Sequence, residues 1–158
     1  MTQSTNGIGL DAQHSAELVR ELNLLLANYS VLYMNVRGFH WNIRGERFFE
    51  LHLKFEELYN DLQLKIDEIA ERILTLGGVP DHSYATYHTH ASIAGVVNVN
   101  DGTQAVGAIL KSLTDLIVKQ RSLLKLASES DDEGTSALMS DYIRQQEKLS
   151  WMYGAYLG

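Results

Sequence analysis

Apolar residues recur along the first part of the chain at alternating intervals of four and three residues. This spacing predicts one long helix from Asp11, which is a suitable N-cap, to about His40. The stripe that it buries is predicted to consist of Leu18, Leu22, Leu25, Tyr29, Leu32 and Val36.

A second apolar stripe begins after a break at Gly38 to Gly45. It predicts a helix from about Glu46 to Leu76, and Gly77-Gly78 followed by Pro80 is a strong stop signal. The buried positions are predicted to be Phe48, His52, Phe55, Tyr59, Leu62, Ile66, Ile69, Ile73 and Leu76.

Two further helices are predicted after a long connection at 79–100, which is rich in Tyr, His, Ser and Thr and has a predicted helical turn around Ser92 to Val96. The third helix begins at Asn100 or Asp101, and an acidic run at 129–133 separates it from a fourth that continues to the end of the sequence. Their apolar positions are Val106, Ile109, Leu110, Leu113, Leu116, Ile117, Leu123 and Leu124, then Leu138, Tyr142, Leu149 and Met152.

The connections between these four helices are short, long and short. That order predicts two antiparallel hairpins joined by a crossover, which is the connectivity of an all-α, ferritin-like four-helix bundle. The length of 158 residues suits a single domain over 1–158, with a flexible N-terminal tail at 1–10.

Composition narrows the chemistry. Cysteine is absent, which excludes thiolate metal sites and a cysteine nucleophile and is typical of a reducing cytoplasm, where we expect the protein to act. We expect no signal peptide and no membrane partner, because no apolar stretch has the required length. The net charge of -7 disfavours nucleic acid and favours cations.

Two histidines lie where the apolar stripes predict core. His40 follows Val36 by four residues, and His52 is itself a member of the second stripe. A short loop between antiparallel helices brings them together, and Glu56 lies one turn beyond His52 on the same face. A lone histidine at such a position is usually a hydrogen-bonded core residue, whereas two that converge beside a carboxylate favour a metal site.

Asp67 and Glu71 lie further along the second helix, four residues apart. Taken alone, they are best explained as a solvated acidic face that pairs with Lys65 and Arg72. Asp67 is about 22 Å from His52 along the helix axis, so one chain cannot bring both to one ion.

A twofold axis near Leu62 would bring these groups together. His52 and Glu56 of one copy would face Asp67 and Glu71 of another, because the pairs 52/71 and 56/67 share a midpoint, and the interface would hold two identical sites. Imidazoles mixed with carboxylates suit ferrous iron and tolerate zinc, manganese or cobalt. A site inside one bundle is not expected, because no histidine here follows a glutamate by three residues.

These residues lie in two stretches that resemble the Dps family, the miniferritins, and the likeness extends over nearly the whole chain. The first is His40-Trp41-Asn42-Ile43-Arg44-Gly45 with Leu51-His52 and Glu56, and the second is Ile66-Asp67-Glu68-Ile69-Ala70-Glu71-Arg72 with Leu76-Gly77-Gly78-Val79-Pro80.

The resemblance implies a dodecameric shell around an iron mineral, with a ferroxidase centre at the twofold interface. His40, His52 and Glu56 would come from one subunit, and Asp67 and Glu71 from its mate. The implied activity is oxidation of Fe(II), with hydrogen peroxide preferred over dioxygen, and storage of Fe(III) that protects the cell from oxidative damage.

Residues outside this set carry weaker indications. Trp41 either corresponds to the family's near-site tryptophan or packs the hairpin. Asp132 and Asp141 are candidates for an iron pore where three subunits meet, although an acidic run also suits a helix N-terminus. The long connection contains loop histidines that are either solvated or a zinc or copper site, namely His82, His88 and His90.

Two alternative functions remain open at this point. One is a DNA-binding or purely protective shell with little ferroxidase activity, and the other is a monomeric bundle without metal. The first basic residue is Arg20, within the first helix, so the Lys/Arg-rich tail of DNA-compacting relatives is missing and we expect weak DNA binding or none.

Overall fold

Long α-helices carry most of the chain. The structure is a computed structural model that describes residues 4 to 158. The helices in this part are α1 (Ala12–Asn42), α2 (Phe48–Thr75), α3 (Tyr84–His90), α4 (Gly102–Glu129) and α5 (Glu133–Leu157).

The four long helices form two hairpins. Short loops join α1 to α2 and α4 to α5, while the connection from α2 to α4 is long and contains α3. Helix α1 packs against α2, α3 and α4, so it lies at the centre of the packing. The prediction of an all-α, ferritin-like bundle with a short helix in its crossover is confirmed.

Local signals in the sequence set the helix ends. The carboxylates of Asp11 and Asp101 accept hydrogen bonds from the backbone N–H groups three residues later, so both are the predicted N-caps. Helix α2 ends where Gly77 adopts a φ of 89°. There the N–H of Gly77 donates to the carbonyl of Leu74 and that of Gly78 to Ile73, which is the Schellman arrangement.

The helical turn predicted at Ser92 to Val96 is wrong. The crossover helix lies earlier, at Tyr84–His90, where the Ser83 hydroxyl caps it by accepting from the N–H of Thr86. Two asparagines of α1 hold the later segment in a non-helical path. Asn28 Oδ1 accepts from the N–H groups of Ser92 and Ile93, and Asn35 Oδ1 from that of Val96.

The apolar stripes of α1 and α4 are largely confirmed, but that of α5 is partly wrong. Met152 is 42% exposed, and Leu138 and Leu149 are only half-buried. Polar side chains take part in the face that α5 buries, and this hides the helical period from an apolar pattern. The buried residues of α5 are Thr135, Met139, Tyr142, Gln146 and Tyr153.

Three polar side chains meet in the centre of the bundle. The Tyr29 hydroxyl donates to Gln120 Oε1 over 2.5 Å, Gln120 Nε2 donates to Gln146 Oε1 over 2.7 Å, and Gln146 Nε2 donates to the Tyr29 hydroxyl over 2.6 Å. The three groups satisfy one another in a closed ring, and all are buried. Bonds arranged in this way reinforce one another.

The segment before α1 is attached to the bundle where the structure describes it. The Asn6 amide donates to the Ser15 hydroxyl and accepts from the N–H of Leu10. The first part of the predicted flexible tail, residues 1 to 3, lies outside the described part, and the flexibility of 1–10 stays a prediction. Within residues 4 to 158, no helix has both the length and the hydropathy needed to cross a bilayer.

Candidate metal centre

His40 and His52 lie together at the loop end of the α1–α2 hairpin, as the sequence predicted. His40 is in the last turn of α1 and His52 in the second turn of α2, and a short loop joins the two helices. The imidazole rings stack with their centroids 3.8 Å apart and their planes 12° from parallel.

Each imidazole is fixed by the backbone of the other residue. Nδ1 of His40 lies 2.6 Å from the carbonyl oxygen of His52, and Nδ1 of His52 lies 2.7 Å from that of His40. A carbonyl only accepts, so Nδ1 carries the proton in both rings and Nε2 of the neutral ring keeps its lone pair. This is the tautomer that binds a metal through Nε2.

The contact from His52 also provides a hydrogen-bond donor for a carbonyl group at the end of α1. His40 belongs to the last turn of α1, whose carbonyl groups have no N–H donor from within the helix. The N–H of Arg44, which would continue the helical pattern to His40, donates instead to Asn100. The His52 imidazole takes its place, so folding of the hairpin and orientation of the ring depend on one hydrogen bond.

Aromatic rings surround the histidine pair. The Phe48 ring stacks on His52 at 4.9 Å, and the Tyr59 ring stands nearly perpendicular to His40 at 5.2 Å. His40 is 7% exposed and His52 is half-buried. The pair is thus held between hydrogen bonds and aromatic rings, and it is only partly accessible to solvent.

The candidate carboxylates lie on the outer side of α2. Glu56 is half-buried, and Asp67 and Glu71 are exposed. The pairing with Lys65 and Arg72 that would explain Asp67 and Glu71 as a solvated face does not form. Lys65 binds Asp61 at 2.7 Å, and Arg72 binds Asp132 at 2.7 Å.

One described chain does not complete a metal site. Among residues 4 to 158 no three His, Asp or Glu side chains converge so that they could hold an ion. The chain brings His40 and His52 together but leaves Asp67 about 22 Å and Glu71 about 28 Å along α2 from His52. A site built from all five residues therefore needs side chains of a second copy.

The outer face of α2 also exposes apolar side chains between these acids. Leu53, Leu64 and Leu74 are 56%, 66% and 57% exposed, and Phe49 is exposed at the start of the helix. Large apolar groups aligned along one face are typical of a surface that another protein covers.

The candidate pore residues differ from each other. Asp132 is 2% exposed, caps α5 through the N–H of Thr135 and pairs with Arg72. Its other oxygen accepts from the Thr135 hydroxyl at 2.6 Å, so both oxygens are occupied and the helix-terminus explanation fits. Asp141 is exposed beside Arg144, at 3.1 Å, and its role in a pore stays a prediction.

The three loop histidines do not form a cluster in the described part of the chain. Nδ1 of His82 lies 3.0 Å from the carbonyl oxygen of Pro80, and His90 lies 3.6 Å from Asp81. His88 is exposed on α3. A zinc or copper role for these residues stays a prediction.

Sequence reasoning missed a cationic and aromatic cluster beside the histidines. The Arg37 guanidinium lies over the rings of Tyr33, Trp41 and Tyr59 at 5.5, 4.8 and 5.3 Å. Tyr33, Arg37 and Trp41 follow one another at intervals of four residues, which puts all three on one face of α1. This spacing was the signal in the sequence from which the cluster could have been predicted. Trp41 is 58% exposed, so it is not buried hairpin packing in one chain.

Comparisons with known proteins agree with this architecture. The model of the ferritin-like domain matches residues 19–158. An uncharacterized protein of Haemophilus influenzae is 49% identical over 152 residues, which cover 96% of this chain and 95% of that protein. A DNA protection during starvation protein of Porphyromonas gingivalis is 42% identical over 148 residues, which cover 94% and 93%.

A solved structure matches over the full length. It is the Dps protein of Vibrio cholerae O1, described as a member of a broad superfamily of ferritin-like diiron-carboxylate proteins. The TM-score is 0.97 at 55% identity, and the match covers 100% of this chain and 99% of that one. A Dps protein of Bacillus brevis gives a TM-score of 0.90 at 34% identity, with 92% and 98% covered.

Proposed function

The chain belongs to the Dps family of ferritin-like proteins, and on this premise we propose that it oxidises ferrous iron at centres shared between two subunits and stores the ferric product in a dodecameric shell. Iron storage and protection are the general functions of the family. The observation that carries the specific proposal is the histidine pair, which is locked at both Nδ1 atoms and leaves both Nε2 atoms available.

The proposed interface joins the outer faces of two α2 helices that run antiparallel about a twofold axis at the height of positions 61 and 62, where the Leu62 side chain itself is buried and takes no part. Positions whose numbers add to 123 would then lie opposite each other. His52 would face Glu71 and Glu56 would face Asp67, while the same register would bring the exposed Phe49 against the exposed Leu74. The agreement of polar and apolar pairs on one register supports the arrangement.

Each residue has a defined task in this proposal. His40 and His52 bind ferrous iron through Nε2, and their fixed rings cost little reorganisation when the ion arrives. Glu56, with the partner's Asp67 and the partner's Glu71, supplies hard anionic oxygens, which stabilise the ferric state more than the ferrous one. Loss of an electron from iron is thereby made easier. Zinc and other divalent ions would compete for the same ligands.

The proposed reaction uses two ferrous ions for each hydrogen peroxide. Each Fe(II) gives one electron, the O–O bond breaks, and two protons are taken up, so that two Fe(III) and two water molecules result. Both electrons reach the peroxide at one centre, and no hydroxyl radical is released. Dioxygen is the alternative oxidant, and the Fe(III) passes to the mineral inside the shell.

Ferrous iron oxidation by peroxide, followed by absorbance, tests this proposal. We expect His52→Ala to lower the initial rate by about 100-fold, for two reasons. The variant loses the Nε2 ligand of His52, and it loses the His52 ring that stacks on His40. His88→Ala is the matched control, since His88 is exposed on α3, and its rate should equal that of the unmodified protein. Equal rates for His52→Ala and His88→Ala, both as assembled shells, would remove the proposed centre.

A further inference from the structure

Arg37 is a cation without a counter-charge in the described part of the chain. No carboxylate lies within ion-pair distance of it among residues 4 to 158, and its Nε is buried without a hydrogen-bond partner. Its one side-chain hydrogen bond runs from Nη1 to the Tyr33 hydroxyl, at 3.1 Å. A partly desolvated cation with so few partners contributes little to stability by itself.

The neighbours of the guanidinium are the faces of aromatic rings. Tyr33, Trp41 and Tyr59 all lie within the range of a cation–π contact. Tyr33 and Tyr59 are perpendicular to each other at 6.0 Å. Arg37 therefore connects a ring of α2 to two rings of α1.

Tyr59 links this cluster to the histidine pair. Its ring stands at 81° to the His40 imidazole, with the centroids 5.2 Å apart. The hydrogen bond at Nδ1 and the stacked His52 ring restrain the His40 imidazole without preventing every tilt about that bond. The perpendicular Tyr59 ring opposes that tilt, and the guanidinium opposes displacement of Tyr59.

We propose that Arg37 is a positioning residue for the iron centre: lying over the Tyr59 ring, it holds that ring against His40 and so fixes the direction of the free Nε2. The role depends on the planar guanidinium and not on charge alone, because a planar group stacks on ring faces in a way that an ammonium does not. The inference rests on the proposed function.

Cobalt(II) titration of the assembled protein gives a readout that is independent of turnover, because the visible absorption of bound Co²⁺ reports its ligand geometry. We expect Arg37→Met to weaken Co²⁺ binding about tenfold, which is the lower end of the effect of residues that orient metal ligands, and to alter the spectrum. Arg37→Lys should show the same weaker Co²⁺ binding and the same altered spectrum as Arg37→Met. Arg20→Met is the matched control, since Arg20 is exposed far from the site on the same helix, and should be unchanged.

Iron kinetics separate positioning from a general loss of structure. Arg37→Met should raise KM for Fe(II) about tenfold and leave kcat within about twofold, because the defect lies in binding. A merely unstable variant would lose active centres and therefore kcat. In Tyr59→Leu the ring is missing, so adding Arg37→Met should have little further effect on Co²⁺ affinity.

The outcomes also separate this inference from the proposed function. If the unmodified protein and His52→Ala give the same Co²⁺ titration, the centre itself is wrong. If His52→Ala abolishes the spectrum but Arg37→Met leaves it unchanged, only the role of Arg37 is wrong. The role of Arg37 would also be wrong if Arg37→Lys bound Co²⁺ like the unmodified protein. The same holds if the effects of Arg37→Met and Tyr59→Leu on Co²⁺ affinity were independent of each other.

Discussion

The centre of the bundle and the loop end of the α1–α2 hairpin both place polar side chains among apolar ones, with opposite results. In the centre, Tyr29, Gln120 and Gln146 use their hydrogen-bonding groups on one another. At the hairpin end, His40 and His52 use only Nδ1. The first region is therefore structural, because its polar groups satisfy one another, whereas the proposed iron centre would use the Nε2 atoms of the second.

If the proposed function is correct, the chemistry of this ferritin-like fold lies at its surface and not in the centre of its bundle. A di-iron bundle carries Glu-x-x-His motifs that point into its centre. Here Gln120 and Gln146 are neutral amides, which offer no charge to offset that of a cation. The acids lie instead on the outer face of α2, where they need a second copy.

The largest effect that would sharpen this contrast is expected at one glutamate of α2. We expect Glu71→Gln to slow iron oxidation about 100-fold, because a hard anionic ligand becomes a neutral amide. Glu68→Gln is the matched control. Glu68 acts on the pKa of Tyr142, so it lies towards α5 and away from the proposed interface. Equal initial rates in the two variants would show that the outer face is not special.

A moderate effect is expected in the centre. Tyr29→Phe leaves Gln120 Oε1 without its donor and Gln146 Nε2 without its acceptor, so the free energy of unfolding should fall by about 1–3 kcal/mol. Urea unfolding followed by circular dichroism measures this. The rate of iron oxidation by the assembled protein should not change. A strong loss of that rate would mean that the two regions are coupled.

The smallest effect is the contribution that a single buried tyrosine makes to the dependence of stability on alkaline pH. Burial raises the pKa of Tyr29, Tyr142 and Tyr153, and nearby carboxylates raise those of Tyr142 and Tyr153 further. The unfolded chain ionises near pH 10 and the folded chain does not, so stability is full below pH 10 and declines above it.

Each such tyrosine contributes a slope of about 1.4 kcal/mol per pH unit once the unfolded chain is ionised. Urea midpoints at pH 9, 10 and 11 should fall, and Tyr142→Phe should make the decline shallower. The same decline in Tyr142→Phe and in the unmodified protein would contradict a protonated, buried Tyr142.

Much of the fold could be predicted because helix periodicity and caps are local. The stripe from Leu18 to Val36 and the caps Asp11 and Asp101 followed from short-range patterns. The position of α3 did not, because the path of 92–96 depends on hydrogen bonds to Asn28 and Asn35, more than fifty residues earlier in the chain.

The candidate site was predictable to the extent that one hairpin determines it. Two histidines flanking a short loop were enough to expect their meeting, but not the exchange of contacts that fixes both tautomers. The ion pair of Asp132 could not be predicted in this way, because its partner Arg72 lies on α2, far away in the sequence. Asp67 and Glu71 depend on a second copy, so they remain part of the proposal.

Mixed shells test the shared centre most directly. His52→Ala and Asp67→Ala subunits are each expected to be inactive as pure shells. In a mixed twofold pair, one site combines both defects and the other combines intact residues from each chain. Random assembly of equal amounts makes half of all pairs mixed, so about a quarter of the normal initial rate of iron oxidation should return. A co-assembled shell with no more activity than the pure variants would contradict a centre built by two subunits.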